Sequence, residues 1–471
     1  MESIKNKRHL IIIGGGSAAF SAAIEAHGLG VHVTMINDEL PIGGTCVNVG
    51  CVPSKNLIRA AETLHRANNN PFEGVQSSAK VKDFSKFIEA KRKLVEELRE
   101  VKYISIIKDM QNFELIKGHA TFVDVKTVKV GSRKITGSHV LICNGASSFI
   151  PDIKGLKEVP YLTNIEAFEL EELPESLIVL GGSYIALEIA QMFSRLGSKV
   201  TMLQRSSRIL STQMSDITEE LSHLLQEEGI RIVTGNAIES VSKNADDVEV
   251  ISIVNGKKQK FSATKLVVAT GRRANTQDLN LETVGVELES NKGIKVDEYL
   301  QTTQRNIYAA GDVLGKNMFV YTAAYEAKLA VNNMFGNVKK AADLSVLPWV
   351  IFTDPQVAGI GMDEEQAKKA GLRVETATLP LSYVPRALAA RDTRGFIKLI
   401  RNIEDDTLVG ARILAPEGSE LLMEVAMVMK YGIKVEELKE MLHPYLTLSE
   451  GIKLAAITFN KSVTELSCCA T

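Results

Sequence analysis

The sequence predicts an α/β protein with two Rossmann-like dinucleotide-binding domains and a C-terminal α+β dimerisation domain. Three observations lead to this prediction. An apolar strand runs into a glycine-rich turn near the N-terminus, a second unit of the same kind lies far downstream, and the last third carries no nucleotide-binding motif. The 471 residues also exceed what one compact core usually holds, so we expect several domains.

The composition is that of an ordinary globular protein, with 45% apolar residues, 24% charged residues and a net charge of -2. This charge gives no electrostatic reason to expect nucleic acid or an anionic membrane as a partner. The apolar runs are too short to span a bilayer and the N-terminus is a poor secretion signal, so we expect a cytoplasmic protein. Five cysteines do not form the disulfide framework of a secreted domain.

The first βαβ unit begins with an apolar strand over Leu10–Gly16 and continues into an alanine-rich helix that ends near Gly28. Its candidate pyrophosphate contacts are Gly14 and Gly16, because glycine lets the backbone approach the phosphates at a helix N-terminus. A strand over Val31–Ile36 follows. An acid at its end would bind a ribose, but Asn37 occupies that position and Asp38 follows one residue late, so the ribose ligand stays open between them.

The second unit contains a strand over Leu177–Leu180, a turn that begins at Gly181, a helix over Leu187–Leu196 and a strand over Lys199–Leu203. Two such glycine turns, each with a strand before it and a strand after it, indicate two dinucleotides. Ser183 and Ala186 replace the second and third glycines, but both are small enough for close helix–strand packing.

The second unit ends in two cations and no acid. Arg205 and Arg208 follow its last strand, and arginine pairs with a 2′-phosphate, which favours NADPH over NADH. The alternative is a pair of solvated surface arginines with no cofactor role.

The stretch from Gly43 to Lys55 carries the most specific chemistry, since it holds Cys46 and Cys51 five residues apart. In a regular helix this spacing separates the Cα atoms by about 8.7 Å, whereas a disulfide tolerates at most about 6.8 Å. The pair therefore requires a break in the helix, which Gly50 permits. Cys51 would begin the next helix, where the helix dipole favours the thiolate. We interpret the pair as a redox centre; two buried structural thiols are the alternative.

With further motifs at Ala269–Arg272 and Thr303–Asp312, the chain resembles the pyridine-nucleotide–disulfide oxidoreductase family over essentially its whole length. The resemblance implies a homodimer with active sites shared between subunits, and FAD and NADPH as cofactors. It places an FAD-binding domain at residues 1–155 and 275–345, an NADPH-binding domain at 156–274 and a dimerisation domain at 346–471.

The resemblance also implies roles for single residues. Asp312 would bind the ribityl chain of the flavin, Lys55 would lie by flavin N5 and pair with Glu188, and Tyr184 would cover the nicotinamide pocket. Further cofactor contacts are expected from Ala19, Gly44, Thr45, Ala120, Gly271 and Val320.

The C-terminus narrows the prediction within the family. Cys468 and Cys469 are adjacent near the chain end and could present two sulfurs to a soft metal ion. An exposed pair without a role is the alternative. Motifs at Val384–Leu388, Phe352–Val357 and Pro444–Thr447 resemble the catalytic core of the family members that reduce Hg(II) to Hg(0).

That resemblance implies Cys46, Cys51, Cys468 and Cys469 as the metal ligands. Small thiols would carry Hg(II) to the enzyme, and Cys468 and Cys469 of a partner subunit would pass it inward. Cys51 would be the thiolate against the flavin and Cys46 the outer sulfur. Tyr184 and Tyr445 would line the metal site.

Two rival functions stay open. A reductase of a low-molecular-weight disulfide, such as glutathione or dihydrolipoamide, would use His443 as general acid. A glutamate five residues later in the chain would orient that histidine. Here the nearest glutamate, Glu450, is seven residues on, so we interpret His443 as non-catalytic. The other rival is a flavoprotein that only sequesters metal on its terminal cysteines. Cys143 is expected to be a buried residue beside the flavin, without a role.

Overall fold

The computed structural model describes residues 8–466 of the chain. Its strands are β1 (His9–Ile13), β2 (His32–Asn37), β3 (Phe113–Lys117), β4 (Ala120–Asp124), β5 (Thr127–Val130), β6 (Arg133–Thr136), β7 (His139–Ile142), β8 (Ala146–Ser148), β9 (Tyr161–Leu162), β10 (Ser176–Leu180), β11 (Lys199–Leu203), β12 (Arg231–Val233), β13 (Asn236–Asn244), β14 (Asp247–Val254), β15 (Lys257–Ala263), β16 (Lys265–Val268), β17 (Arg272–Ala274), β18 (Ile307–Ala309), β19 (Pro348–Ile351), β20 (Gln356–Gly361), β21 (Val374–Pro380), β22 (Phe396–Asn402) and β23 (Thr407–Ala415).

In chain order, the α-helices lie between these strands and after the last of them. They are α1 (Ser17–Gly28), α2 (Gly44–Asn48), α3 (Cys51–Asn68), α4 (Phe84–Arg99), α5 (Ser105–Lys108), α6 (Asn164–Ala167), α7 (Tyr184–Leu196), α8 (Ser215–Glu227), α9 (Val320–Phe335), α10 (Glu364–Lys369), α11 (Pro385–Ala390), α12 (Leu422–Tyr431), α13 (Val435–Glu440) and α14 (Glu450–Ile457).

The N-terminal sheet is parallel and has the strand order β18-β7-β1-β2-β3. Every residue of β1 is buried, which explains its uninterrupted apolar run, because a parallel sheet is covered on both faces. Helices α1 and α9 contribute to the same core. The predicted unit of strand, glycine turn, helix and strand is present here as β1, α1 and β2.

The second parallel sheet has the order β12-β11-β10-β16-β9 and contains the downstream unit as β10, α7 and β11. An antiparallel sheet of β13, β14 and β15 packs on it through Val250 and Phe261. Two parallel, helix-covered sheets are the architecture that the two glycine turns predicted.

The C-terminal region forms an antiparallel sheet in the order β19-β20-β23-β22-β21. Helices α12 and α14 bury Val425 and Ile452 against it. The opposite face of α12 leaves large apolar side chains in solvent at Met423, Met427 and Tyr431. The predicted α/β fold with a separate α+β unit is therefore confirmed, whereas the predicted domain limits stay predictions.

Two helices lie beside the cysteine segment and after it. Helix α4 continues into a π-helical segment at Glu100–Ile104 and then into α5. Helix α3 begins at Cys51, as predicted, and Pro53 lies in its first turn. Pro53 is tolerated because the first amide groups of a helix donate no bond within it. No helix among residues 8–466 is long and apolar enough to cross a membrane.

Candidate active site

The first glycine turn connects β1 to α1 and leaves no room for side chains. Gly14 has a φ of +128°, and a Cβ there would lie 2.4 Å from the carbonyl oxygen of Cys143. Gly44 packs so closely against this turn that a Cβ at Gly44 would lie 2.6 Å from the Cα of Gly16. At Gly14 and Gly16 the N-terminus of α1 is therefore approached closely by backbone, and such a cradle fits a pyrophosphate.

The two candidate ribose ligands have different surroundings. Asn37 donates a hydrogen bond to the carbonyl of Leu40 at 2.8 Å and lies directly over Gly15. Asp38 is half exposed, and its carboxylate contacts Nδ1 of His119 at 2.8 Å. The carbonyl of Asp278 and the carboxylate of Asp38 raise the pKa of His119.

Asp312 approaches the same helix from the end of β18. A Cβ at the preceding Gly311 would lie 3.4 Å from the Cβ of Ala18 in α1. Burial raises the pKa of the Asp312 carboxyl, and its nearest cation is Arg272 at 3.8 Å. A partly buried carboxylate that follows a residue packed against α1 fits a polyol ligand. The other predicted contacts lie in α1, in α2, at the start of β4 and at the start of α9, namely Ala19, Thr45, Ala120 and Val320.

The thiol pair lies at a break between two helices. Cys46 belongs to α2 and Cys51 is the first residue of α3, and Val49 and Gly50 separate the helices with non-helical backbone. A Cβ at Gly50 would lie 2.9 Å from the carbonyl oxygen of Thr45. This is the break that the five-residue spacing required. Both cysteines are free thiols in the structure.

The two thiols differ in acidity. A hydrogen bond from Cys46 and the charge of Lys55 lower the pKa of Cys51 to about 7, against the opposing effect of burial. The same hydrogen bond and burial raise the pKa of Cys46. Cys51 is therefore the thiolate near neutral pH and Cys46 the protonated donor.

Lys55 and Glu188 form an ion pair behind the thiols. Lys55 Nζ lies 2.7 Å from Glu188 Oε2, and the Glu188 side chain is only 9% exposed. The amide of Phe352 donates to Glu188 Oε1 at 3.0 Å, and Lys55 Nζ lies 4.6 Å from the centre of the Phe352 ring. Phe352 thus fixes both members of a pair that joins α3 to α7.

The next turn of α7 is tied to the loop after Phe352. Arg195 is almost fully buried and contacts Glu228 at 2.6 Å and Asp354 at 2.9 Å. Gln191 donates to the carbonyl of Asp354 and accepts from its amide, both at 2.8 Å. Helix α7 is therefore fixed to the C-terminal unit along two of its turns.

The second glycine turn repeats the geometry of the first. Gly181 has a φ of +123°, and a Cβ there would lie 2.3 Å from the carbonyl oxygen of Ala269. Ser183 caps α7, so this helix N-terminus also presents backbone amides. Arg205 is exposed and Arg208 half-buried just after β11. Gly271, with a φ of +125°, accepts a hydrogen bond from Phe149 in the turn before β17.

Tyr184, the first residue of α7, lies within a group of aromatic side chains. Its ring stacks on those of Phe319 and Trp349, at centroid distances of 6.3 and 5.9 Å. Burial raises the pKa of its hydroxyl to about 12, so it stays protonated at neutral pH.

His443 and Tyr445 lie on the loop between α13 and α14. His443 Nε2 lies 2.7 Å from Glu424 Oε1 of α12, and its Nδ1 lies 3.2 Å from the carbonyl oxygen of Met441. Its side chain is only 5% exposed. Both ring nitrogens thus lie against oxygen atoms of the same subunit, whereas Tyr445 is half exposed. Cys468 and Cys469 lie outside the described residues.

A family model described as pyridine nucleotide-disulphide oxidoreductase matches residues 8–327, and the dimerisation domain of that family matches residues 347–456. This chain belongs to the pyridine nucleotide-disulphide oxidoreductase family. Membership implies FAD and a nicotinamide dinucleotide as cofactors and Cys46 and Cys51 as the redox pair. The dimerisation domain supports a homodimer.

Relatives within this family are named mercuric reductases. The chain is 44% identical to the mercuric reductase of Staphylococcus aureus over 461 residues, which cover 98% of this chain and 84% of the relative. It is 46% identical to that of Bacillus cereus, covering 98% and 73%. Among solved structures, a Cu(II) complex of the Escherichia coli flavoprotein disulfide reductase RclA is similar, with a TM-score of 0.87, 30% identity and coverage of 97% and 100%.

Sequence reasoning missed several residues of this oxidoreductase site. Phe352 and Trp349 lie next to predicted site residues, and Glu424 contacts His443 from another helix. Phe352 belongs to a motif noted in the sequence, and Trp349 is the chain's one tryptophan, but neither signal pointed to a partner. Glu424 has no sequence signal, because it lies 19 residues before His443 on a different element.

Proposed function

We propose that this protein reduces Hg(II) to Hg(0) with electrons from NADPH. One observation carries the proposal: a pair of soft sulfur ligands, Cys46 and Cys51, lies at the junction of α2 and α3 with Cys51 as thiolate, in a chain that aligns with mercuric reductases over 98% of its length. Thiolates are the ligands that soft metal ions prefer.

The residues present fit both cofactors. We assign FAD to the cradle of Gly14, Gly16 and Gly44 and to the carboxylate of Asp312, with Ala19, Asn37, Asp38, Thr45, Ala120 and Val320 as further contacts. We assign NADPH to the turn at Gly181, Ser183 and Gly271 beneath Tyr184, with Arg205 and Arg208 on the 2′-phosphate. The FAD-binding domain would comprise residues 1–155 and 275–345, and the NADPH-binding domain residues 156–274.

The bound cofactors would supply the electron pair that converts Hg(II) to Hg(0). The protein's part is to present the metal. Cys51 binds Hg(II) as a thiolate, and the metal displaces the proton of Cys46 to gain a second sulfur. Lys55, fixed by Glu188 and Phe352, stabilises the thiolate charge. Tyr184 and Tyr445 would line the metal site.

We further propose that Cys468 and Cys469 of the partner subunit take Hg(II) from small thiols and pass it to Cys46 and Cys51. Transfer between sulfur pairs avoids release of the free ion. A variant with Cys468→Ala and Cys469→Ala should lose turnover with Hg(II) on bulky thiols. Unchanged turnover would exclude delivery by these cysteines.

Reduction of a small disulfide is disfavoured by the position of His443. A general acid for the leaving thiol needs a ring nitrogen within hydrogen-bond reach of the substrate. In this subunit Glu424 and Met441 face both nitrogens and the ring is buried. The Cys46 and Cys51 pair alone would serve a disulfide equally well, so a direct comparison of substrates is needed.

The test is steady-state NADPH oxidation by the purified holoenzyme, with Hg(II) in excess thiol, oxidised glutathione and lipoamide in parallel. A fourth arm uses Cu(II), because the similar Escherichia coli structure is a Cu(II) complex. Sustained oxidation that requires Hg(II) and Cys51 supports the proposal. Turnover with a disulfide alone would overturn it, and stoichiometric binding with no sustained NADPH use would indicate sequestration.

A further inference from the structure

The ring of Tyr184 stacks on two other aromatic rings, which form the two walls of what we call its slot. Trp349 of β19 stacks on it at a centroid distance of 5.9 Å with an interplanar angle of 23°, and Phe319 stacks on it at 6.3 Å and 25°. These centroid distances lie in the range of favourable aromatic pairs. The two walls come from segments 30 residues apart in the chain, so only the tertiary fold forms the slot.

Both walls of the slot are fixed. Tyr321 stacks on Phe319 at 5.3 Å, nearly parallel, and its hydroxyl donates to the carbonyl of Pro348 at 2.5 Å. This bond ties the Phe319 wall to the strand that carries Trp349. Trp349 also packs against Gly359, where a Cβ would lie 2.4 Å from the indole ring. The guanidinium of the buried Arg412 lies 5.6 Å from the indole ring centre.

No hydrogen bond adds to the stacking of Tyr184. Among residues 8–466 its hydroxyl makes no hydrogen bond, in contrast to the hydroxyl of Tyr321. Tyr184 is also the first residue of α7, directly after the glycine turn. When the ring leaves the slot, it loses two stacking contacts and its packing against the core that contains α7.

We infer that Trp349, together with Phe319, is a positioning residue that holds Tyr184 closed and thereby sets the affinity for the nicotinamide dinucleotide. The inference rests on the proposed role of Tyr184 as the cover of the nicotinamide pocket. A cofactor that must displace Tyr184 binds only the fraction of molecules in which the ring has left the slot. Weaker stacking increases that fraction and tightens binding.

The expected size follows from the stacking energy. One aromatic pair changes an equilibrium by roughly 2- to 12-fold. In the FAD-loaded enzyme, Trp349→Leu should lower the Kd for NADP+ by a factor in this range, measured from the change in flavin absorbance. Trp349→Phe retains a stacking ring and should stay close to wild type. Phe319→Leu removes the other stacking ring and should act in the same direction as Trp349→Leu.

A double-mutant cycle separates positioning from direct contact. If Trp349 acts through Tyr184, the effect of Trp349→Leu disappears in a Tyr184→Ala background. Unchanged or weaker NADP+ binding in both Trp349→Leu and Phe319→Leu would overturn the inference, as would an equal effect in the Tyr184→Ala background. If Tyr184→Ala itself leaves the Kd unchanged, the assignment of Tyr184 and this inference fail together. Hg(II) turnover is scored independently of this binding measurement.

Discussion

The hydrogen bond from Cys46 should control the acidity of Cys51. This bond is the largest cause of the low pKa of Cys51, ahead of the charge of Lys55. In Cys46→Ala the donor is lost, whereas in Cys46→Ser a hydroxyl donor is retained at the same position. We therefore expect the pKa of Cys51 to rise from about 7 toward its ordinary value of 9.0 in Cys46→Ala and to rise less in Cys46→Ser.

The magnitude follows from the two pKa values. At pH 7 a thiol of pKa about 7 is half ionised, whereas one of pKa 9.0 is about 1% ionised. Cys46→Ala should therefore lower the thiolate fraction of Cys51 at pH 7 by up to about 50-fold. Above pH 10 both proteins carry the thiolate, so their rates of alkylation should converge there.

The assay is the rate of iodoacetamide alkylation at Cys51 between pH 5.5 and 10, in pre-reduced enzyme without oxygen. Peptide mass spectrometry separates Cys51 from the other cysteines. Lys55→Met should shift the midpoint upward by less than Cys46→Ala, because its charge is the smaller cause. A midpoint that stays near 7 in Cys46→Ala would refute the reasoning, as would equal midpoints in the alanine and serine variants.

Three other changes test separate parts of the structure. Arg205→Glu should weaken NADPH binding by at least about tenfold and leave NADH binding nearly unchanged; equal losses would remove the 2′-phosphate assignment. Burial lowers the pKa of His9 from 6.5 to about 4, so the folded state should lose up to about 3 kcal/mol of stability as the pH falls from 6.5 to 4. In thermal melts across that range His9→Gln should lack this loss, and parallel curves would contradict it. Arg195→Met removes one of the two arginines that pair with Glu228 and Asp354, since Arg394 also contacts both carboxylates. The loss of its charged hydrogen bonds should lower the free energy of unfolding by about 1.5–3 kcal/mol, and a loss below about 0.5 kcal/mol in denaturant titrations would contradict it.

The sequence predicted those parts of the fold and site that depend on neighbouring residues. Gly14 and Gly181 identified both helix N-termini, because only glycine accepts the positive φ and close backbone contact found there. The five-residue spacing of Cys46 and Cys51 required a helix break, and Gly50 provides it. Both features are fixed within a few residues of chain, so local sequence was sufficient.

Contacts between distant segments were not predictable in this way. In the sequence, the nearest glutamate after His443 is Glu450, seven residues later. In the structure, the carboxylate that contacts the His443 ring is that of Glu424 in α12. The stacking of Tyr184 on Trp349 joins residues 165 positions apart. No local pattern encodes such pairs, because the packing of the C-terminal unit against α7 brings them together. Cofactor roles and metal delivery were inferred from resemblance and stay predictions.

The most direct test of the central claim is a mercury balance. Purified holoenzyme is given NADPH and Hg(II) in excess thiol, and volatile Hg(0) is trapped and compared with the NADPH consumed, with Cys51→Ala as control. We predict one Hg(0) released per NADPH oxidised over many turnovers, and none from the control. NADPH oxidation without release of Hg(0), or release that persists in Cys51→Ala, would contradict the account.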